Sequence, residues 1–172
     1  MAQSIRKLIG LIAAIVLYYV IHEGAHLLAA LYMGTFQEIR FYAWGLLGVQ
    51  IVVDAAAMSN AQLFAGAIAG PAAALIAGYI LAWRRKSILR SANKFVLAIA
   101  YYTTLVLLCV DPLYLSIIHR FVGGGDMNGI VLLGIPEIPV SIFFALLLIA
   151  NLFIFFKRIY PSYKQSFSPD AQ

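Results

Sequence analysis

Four apolar stretches, each long enough to cross about 30 Å of hydrocarbon, decide what this sequence can fold into. A helix rising about 1.5 Å per residue needs roughly 20 residues for that crossing. Residues 8–33 read as the first span, ended by Gly34. Residues 57–83 read as the second, with Ser59 or Asn60 as its cap and Arg84, Arg85 and Lys86 as its stop. The third runs over 94–121, with an interruption expected at Asp111-Pro112. The fourth is clearest over 138–156 and can begin as early as Asp126, with a break around Gly134, Pro136 and Pro139. In a chain of 172 residues, 63% hydrophobic and 11% charged, a soluble fold could not cover this much apolar surface. The expected fold class is an all-α polytopic membrane protein of about four transmembrane helices. A soluble enzyme, a disordered chain and a nucleic-acid binder are argued against on the same ground.

Charge placement gives an orientation. If both termini are cytoplasmic, that side holds Arg6, Lys7, Arg84, Arg85, Lys86, Arg90, Lys94, Lys157, Arg158 and Lys164. Only Arg40 and Arg120 fall opposite, so the positive-inside rule places a multi-pass protein in the cell membrane with its termini in the cytoplasm. The net charge of +5 therefore tracks the bilayer rather than a nucleic acid. Trp83, Tyr160 and Tyr163 suit interface anchors. Arg6 and Lys7 ahead of an apolar run resemble a signal peptide, but the run continues to Met33 without a convincing cleavage site, and a retained helix is expected. Cys109, the single cysteine, excludes an intrachain disulfide and a cysteine-built metal site.

Between the first two spans, residues 36–44 and 49–53 are aromatic and β-branched, with Gly45 and Gly48 between them. That pattern predicts a short β-hairpin. The whole chain, 1–172, reads as one membrane-embedded domain, with 162–172 as a flexible polar tail. In the second span Gly66, Gly70, Ala74 and Gly78 recur every four residues, a stripe that lets another helix approach closely. Thr103, Thr104 and Asn151 are expected to hydrogen-bond between helices.

The chemistry sits in His22-Glu23-Gly24-Ala25-His26. Residues four apart share a helix face, so His22 and His26 can both ligate one zinc ion with Glu23 beside them as general base. Three ionisable side chains inside a membrane helix are expensive and point to function. Two histidines leave one protein ligand to find. Asp126, Asp111 and His119 are the candidates, and both acids fit the membrane depth of the histidines. Local composition favours Asp126, because Gly123, Gly124 and Gly125 would let the backbone bend towards the metal.

With those residues in place, the chain resembles the site-2 protease family of intramembrane zinc metalloproteases. The likeness rests on the His-Glu-x-x-His set within a membrane helix and on the glycine-rich segment carrying Asp126. Gly70-Pro71 matches that family's Gly-Pro motif, and the likeness extends from Leu8 to about Phe156. Two departures stand out. Met127 and Asn128 intervene between Asp126 and Gly129, and Ala72, Ala73 and Ala74 follow Gly70-Pro71 where the family often has an Asn.

The resemblance implies a zinc-dependent intramembrane endopeptidase with one Zn(2+) per chain held by His22, His26 and Asp126, and with Glu23 catalytic. It implies a single-pass membrane protein as substrate, presented in the bilayer along the hairpin edge, and leaves room for a regulatory membrane partner. The competing readings are a catalytically silent relative that binds membrane segments and a metal transporter. An intact Glu23 argues against the first, and four spans with no further chain of polar residues argue against the second.

Overall fold

A computed structural model of the chain describes residues 2–41, 48–123 and 125–167. Four helical stretches in it are long and apolar enough to cross a membrane: Ser4–Met33, Asn60–Ile88, Lys94–Val122 and Glu137–Phe167. The all-α polytopic class and the hairpin after the first span are as expected.

Helix α1 covers Ala2–Met33 and stops where Gly34 turns left-handed, with φ of +69°. The amide of Thr35 then donates to Ala30 O at 3.0 Å, closing the last turn. Strands β1 (Phe36–Phe41) and β2 (Val49–Val53) follow as an antiparallel pair, with Ile39 opposite Ile51 and Arg40 opposite Gln50. Every residue of β1 is exposed. The end of the expected first strand and its turn, residues 42–47 with Gly45, lie outside the described residues.

Helix α2 (Asn60–Ile88) begins at Ser59, which forms a reciprocal capping box with Gln62. It continues past the expected stop at Trp83. Arg85 and Lys86 lie in its last turn, where cations favour the exposed carbonyls, and Arg85 Nη1 donates to Ala82 O at 3.0 Å.

Helix α3 (Lys94–Leu113) does not break at Asp111-Pro112. Pro112 has no amide to give the carbonyl of Leu108, four residues back. Asn151 Nδ2 donates to that carbonyl instead, at 2.7 Å. A wider π turn, Tyr114–Ile118, then carries the span into α4 (His119–Val122). Asn151 Oδ1 also accepts from Tyr79 Oη at 2.5 Å, so one buried amide ties the second, third and fourth spans together. The expected interhelical role holds for Asn151 but not for Thr104, whose hydroxyl donates to its own helix at Ala100 O.

The fourth span begins at Glu137, beside the expected 138, and not at the earlier possible start, Asp126. Helix α5 (Gly125–Val131) is a separate short segment, and Gly134, at φ +82°, makes the break. Helix α6 (Glu137–Ile154), a π turn over Phe155–Ile159 and α7 (Tyr160–Phe167) complete the span. The interface role of Tyr163 needs correction, and residues 162–167 of the expected tail are helical. Tyr163 is 1% exposed and packs with Tyr101, Phe155 and Ile159, and this burial holds α7 helical to Phe167. Lys94 Nζ donates to Ser166 O at 2.9 Å from the start of α3. Residues 168–172 of that tail lie outside the described residues.

Two apolar clusters fill the bundle. One joins Leu97, Leu108, Phe155 and Tyr163, and the other packs Met127 and Ile130 of α5 on Leu115, Val140 and Phe144. The outward faces are apolar as well, with Leu28, Trp83, Ile149 and Phe153 each more than half exposed. Such a surface suits lipid, not water.

Candidate metal centre

His22 and His26 lie one turn apart on α1, and their Nε2 atoms stand 3.1 Å from each other. Asp126, in the first turn of α5, reaches both: Oδ2 is 3.4 Å from His22 Nε2 and Oδ1 is 3.3 Å from His26 Nε2. One ligand atom from each residue lies within 4.8 Å of the others. Helix α5 can come this close because Gly129 has no side chain. A β-carbon there would overlap Ala67 and lie 3.0 Å from Leu63 O on α2. Gly129 therefore lets α5 pack closely on α2 beside the site.

The far nitrogens of both rings are occupied. His22 Nδ1 donates to the Asp111 carboxylate, 3.1 Å from Oδ1 and 3.3 Å from Oδ2. His26 Nδ1 donates to Gly66 O at 2.8 Å. With the protons at Nδ1, both Nε2 atoms present lone pairs to each other and to a carboxylate. In that arrangement two imidazole nitrogens and a carboxylate form a donor set that could hold a metal ion. The edges fit as well: donor atoms about 2.0–2.1 Å from a tetrahedral zinc stand about 3.3 Å from one another. Room comes from Gly70, where a β-carbon would lie 2.8 Å from His22 Nε2 and closer still to His26 Nε2.

The structure thus brings together His22, His26 and Asp126, as the sequence leads one to expect. Asp111 and His119 are not in the cluster. Asp111 holds the outer nitrogen of His22 and accepts from Tyr18 Oη at 2.6 Å. His119 is buried, with Nδ1 on Tyr114 O at 3.2 Å and Nε2 on Glu137 Oε1 at 3.1 Å. Arg120 Nε also reaches Glu137 Oε1, at 3.4 Å, so Glu137 fastens the start of α6 to α4 across the segment carrying Asp126. Tyr114 Oη donates to Gly123 O at 2.9 Å, just ahead of α5, and Gly123 takes φ +96°. Gly124 lies outside the described residues. Glu23 follows His22 directly, half-buried and, among the described residues, without a hydrogen bond or ion pair.

Sequence reasoning missed Tyr18 and the carbonyl of Gly66. Tyr18 was findable, since it precedes His22 by one turn and a hydroxyl on that face of a span needs a partner. The role of Gly66 O depends on helix packing and leaves no trace in residue type. Compared with protein-family models, with curated proteins and with solved structures, the chain matches none.

Proposed function

We propose that this chain is a zinc-dependent intramembrane endopeptidase that hydrolyses a peptide bond in or near a transmembrane segment of a single-pass membrane protein. The observation that carries the reading is the convergence of His22, His26 and Asp126 with Glu23 adjacent in the chain and half-buried. His22, His26 and Asp126 hold the ion, one per chain. Zinc, when bound, supplies Lewis-acid polarisation of a carbonyl and lowers the pKa of water. Glu23 accepts the proton of the attacking water as the carbon–oxygen bond forms, then delivers it to the amine as the carbon–nitrogen bond breaks. The exposed strand β1 gives an extended substrate backbone somewhere to pair, which satisfies groups that a substrate helix exposes on unwinding. The charge bias supports a cell-membrane location with both termini in the cytoplasm.

The test is Glu23→Gln in proteoliposomes with candidate single-pass substrates. The variant should keep its zinc and lose cleavage by roughly 10²–10⁴-fold, the usual effect of removing a general base. Equal cleavage by wild type and variant removes Glu23 from the mechanism. A wild type that binds zinc and a membrane segment but cleaves nothing favours a silent binder.

A further inference from the structure

We propose that Asp111, held by Tyr18, is a positioning residue and the counter-charge of the metal centre, so that the third span is a working part of a site whose ligands come only from α1 and α5. The inference rests on the reading of His22, His26 and Asp126 as metal ligands. It concerns a residue one bond further out.

Three observations carry it. Asp111 is 1% exposed, so its carboxylate has given up water and needs compensation from its neighbours. Both oxygens face His22 Nδ1, at 3.1 and 3.3 Å, and Oδ1 takes a short hydrogen bond of 2.6 Å from Tyr18. Asp111 therefore touches the ligand ring from behind and cannot itself reach the ion. A carboxylate there fixes which nitrogen carries the proton, aims Nε2 inward and strengthens the ring as a donor.

The two rings are also treated unequally. His26 rests on a neutral carbonyl, Gly66 O, and His22 on an acid. Charge explains the difference. Two neutral imidazoles and Asp126 leave a dication with one uncompensated positive charge in a low-dielectric setting. Of the two further carboxylates that offset it, Asp111 is the more deeply buried, at 1% exposed against a half-buried Glu23, and a hydrocarbon surround makes that offset matter more than it would in water. Tyr18 keeps the carboxylate turned towards the ring by bonding the oxygen nearest to it.

The experiment measures zinc affinity of the purified full chain by chelator competition, with thermal melting of the metal-free protein alongside. Asp111→Asn keeps an acceptor for His22 and Tyr18 while removing the charge. It should weaken zinc by about 10–100-fold, the usual range for a ligand's outer partner. The metal-free melting temperature should hold or rise, because one of two neighbouring buried carboxylates is gone. Tyr18→Phe should weaken zinc less than Asp111→Asn does, and it decides the matter if the Asn variant fails to fold. Wild-type affinity in either folded variant overturns the proposal, as does a lower metal-free melting temperature with zinc affinity unchanged. Zinc binding by wild type that survives His22→Ala with His26→Ala would sink the metal reading itself, a different result from failure of Asp111 alone.

Discussion

Gly70 faces His22 across the contact between α1 and α2 at a distance that admits no side chain, since a β-carbon there would lie 2.8 Å from Nε2. Gly70→Ala should therefore push the imidazoles out of position without unfolding α2, in which alanine is the better helix former. The expected result is loss of most bound zinc with unchanged helical circular dichroism. Full zinc occupancy in the variant would show that the ring positions are not set by this contact.

The ligand set makes its own prediction. His22→Ala, His26→Ala and Asp126→Ala should each remove most of the metal, as read by elemental analysis of purified protein. Asp126→Ala should weaken binding more than Asp111→Ala, because Asp126 reaches the Nε2 atoms and Asp111 reaches only Nδ1. The reverse order would exchange their roles. Chelation of wild type should lower its melting temperature, since a ligand at a hundred times its Kd stabilises by about 2.7 kcal/mol.

Both acids suit the depth of the histidines, and depth is what a linear sequence conveys. The glycines around Asp126 break the tie only as permission for close approach. What separates the two is the side of an imidazole each one meets, and that follows from how α1, α3 and α5 rotate against each other. The spans, the hairpin and the histidine pair were legible because hydropathy, β-branching and helical spacing are local. The course of α3 through Pro112 was not, because its rescue comes from Asn151 on another span. The polar composition after Pro161 suggests a loose tail, yet Tyr163 is buried against the bundle and Lys94 bonds Ser166 O in the same segment.

Pro112 and Asn151 form a testable pair. Asn151→Leu leaves the Leu108 carbonyl and the Tyr79 hydroxyl unpaired in the bundle and should cost about 1–3 kcal/mol. In a Pro112→Ala background the restored amide can serve Leu108 directly, so the same substitution should cost less. A double-mutant cycle in detergent or bicelles measures the coupling, and strict additivity would argue that the two residues act independently.

Glu137 lies outside the metal cluster but fastens the segment that delivers Asp126, through His119 and Arg120. Glu137→Ala should loosen that segment and weaken zinc binding severalfold, while faster hydrogen exchange is confined to residues near α5. Unchanged exchange there would assign Glu137 to the membrane surface alone.

Orientation can be tested with single-cysteine labelling in a Cys109→Ala background. Cysteines placed at Arg90 or Ser162 should be protected from impermeant reagent in intact cells, and one at Gln37 should react. Labelling at Arg90 from outside would reverse the topology.

The centre draws its residues from distant parts of the chain, and a ribosome makes them in order. The histidine pair and Glu23 emerge with α1, Asp111 follows with α3, and Asp126 comes only after three spans have been translated. A nascent chain holding α1 alone carries two imidazoles and a carboxylate in lipid with none of their later partners. The candidate site therefore cannot be complete before most of the protein has been made, and a product truncated ahead of Asp126 lacks one member of the cluster. On the proposed reading, the full set of metal ligands comes together late in synthesis, once the third span has been made.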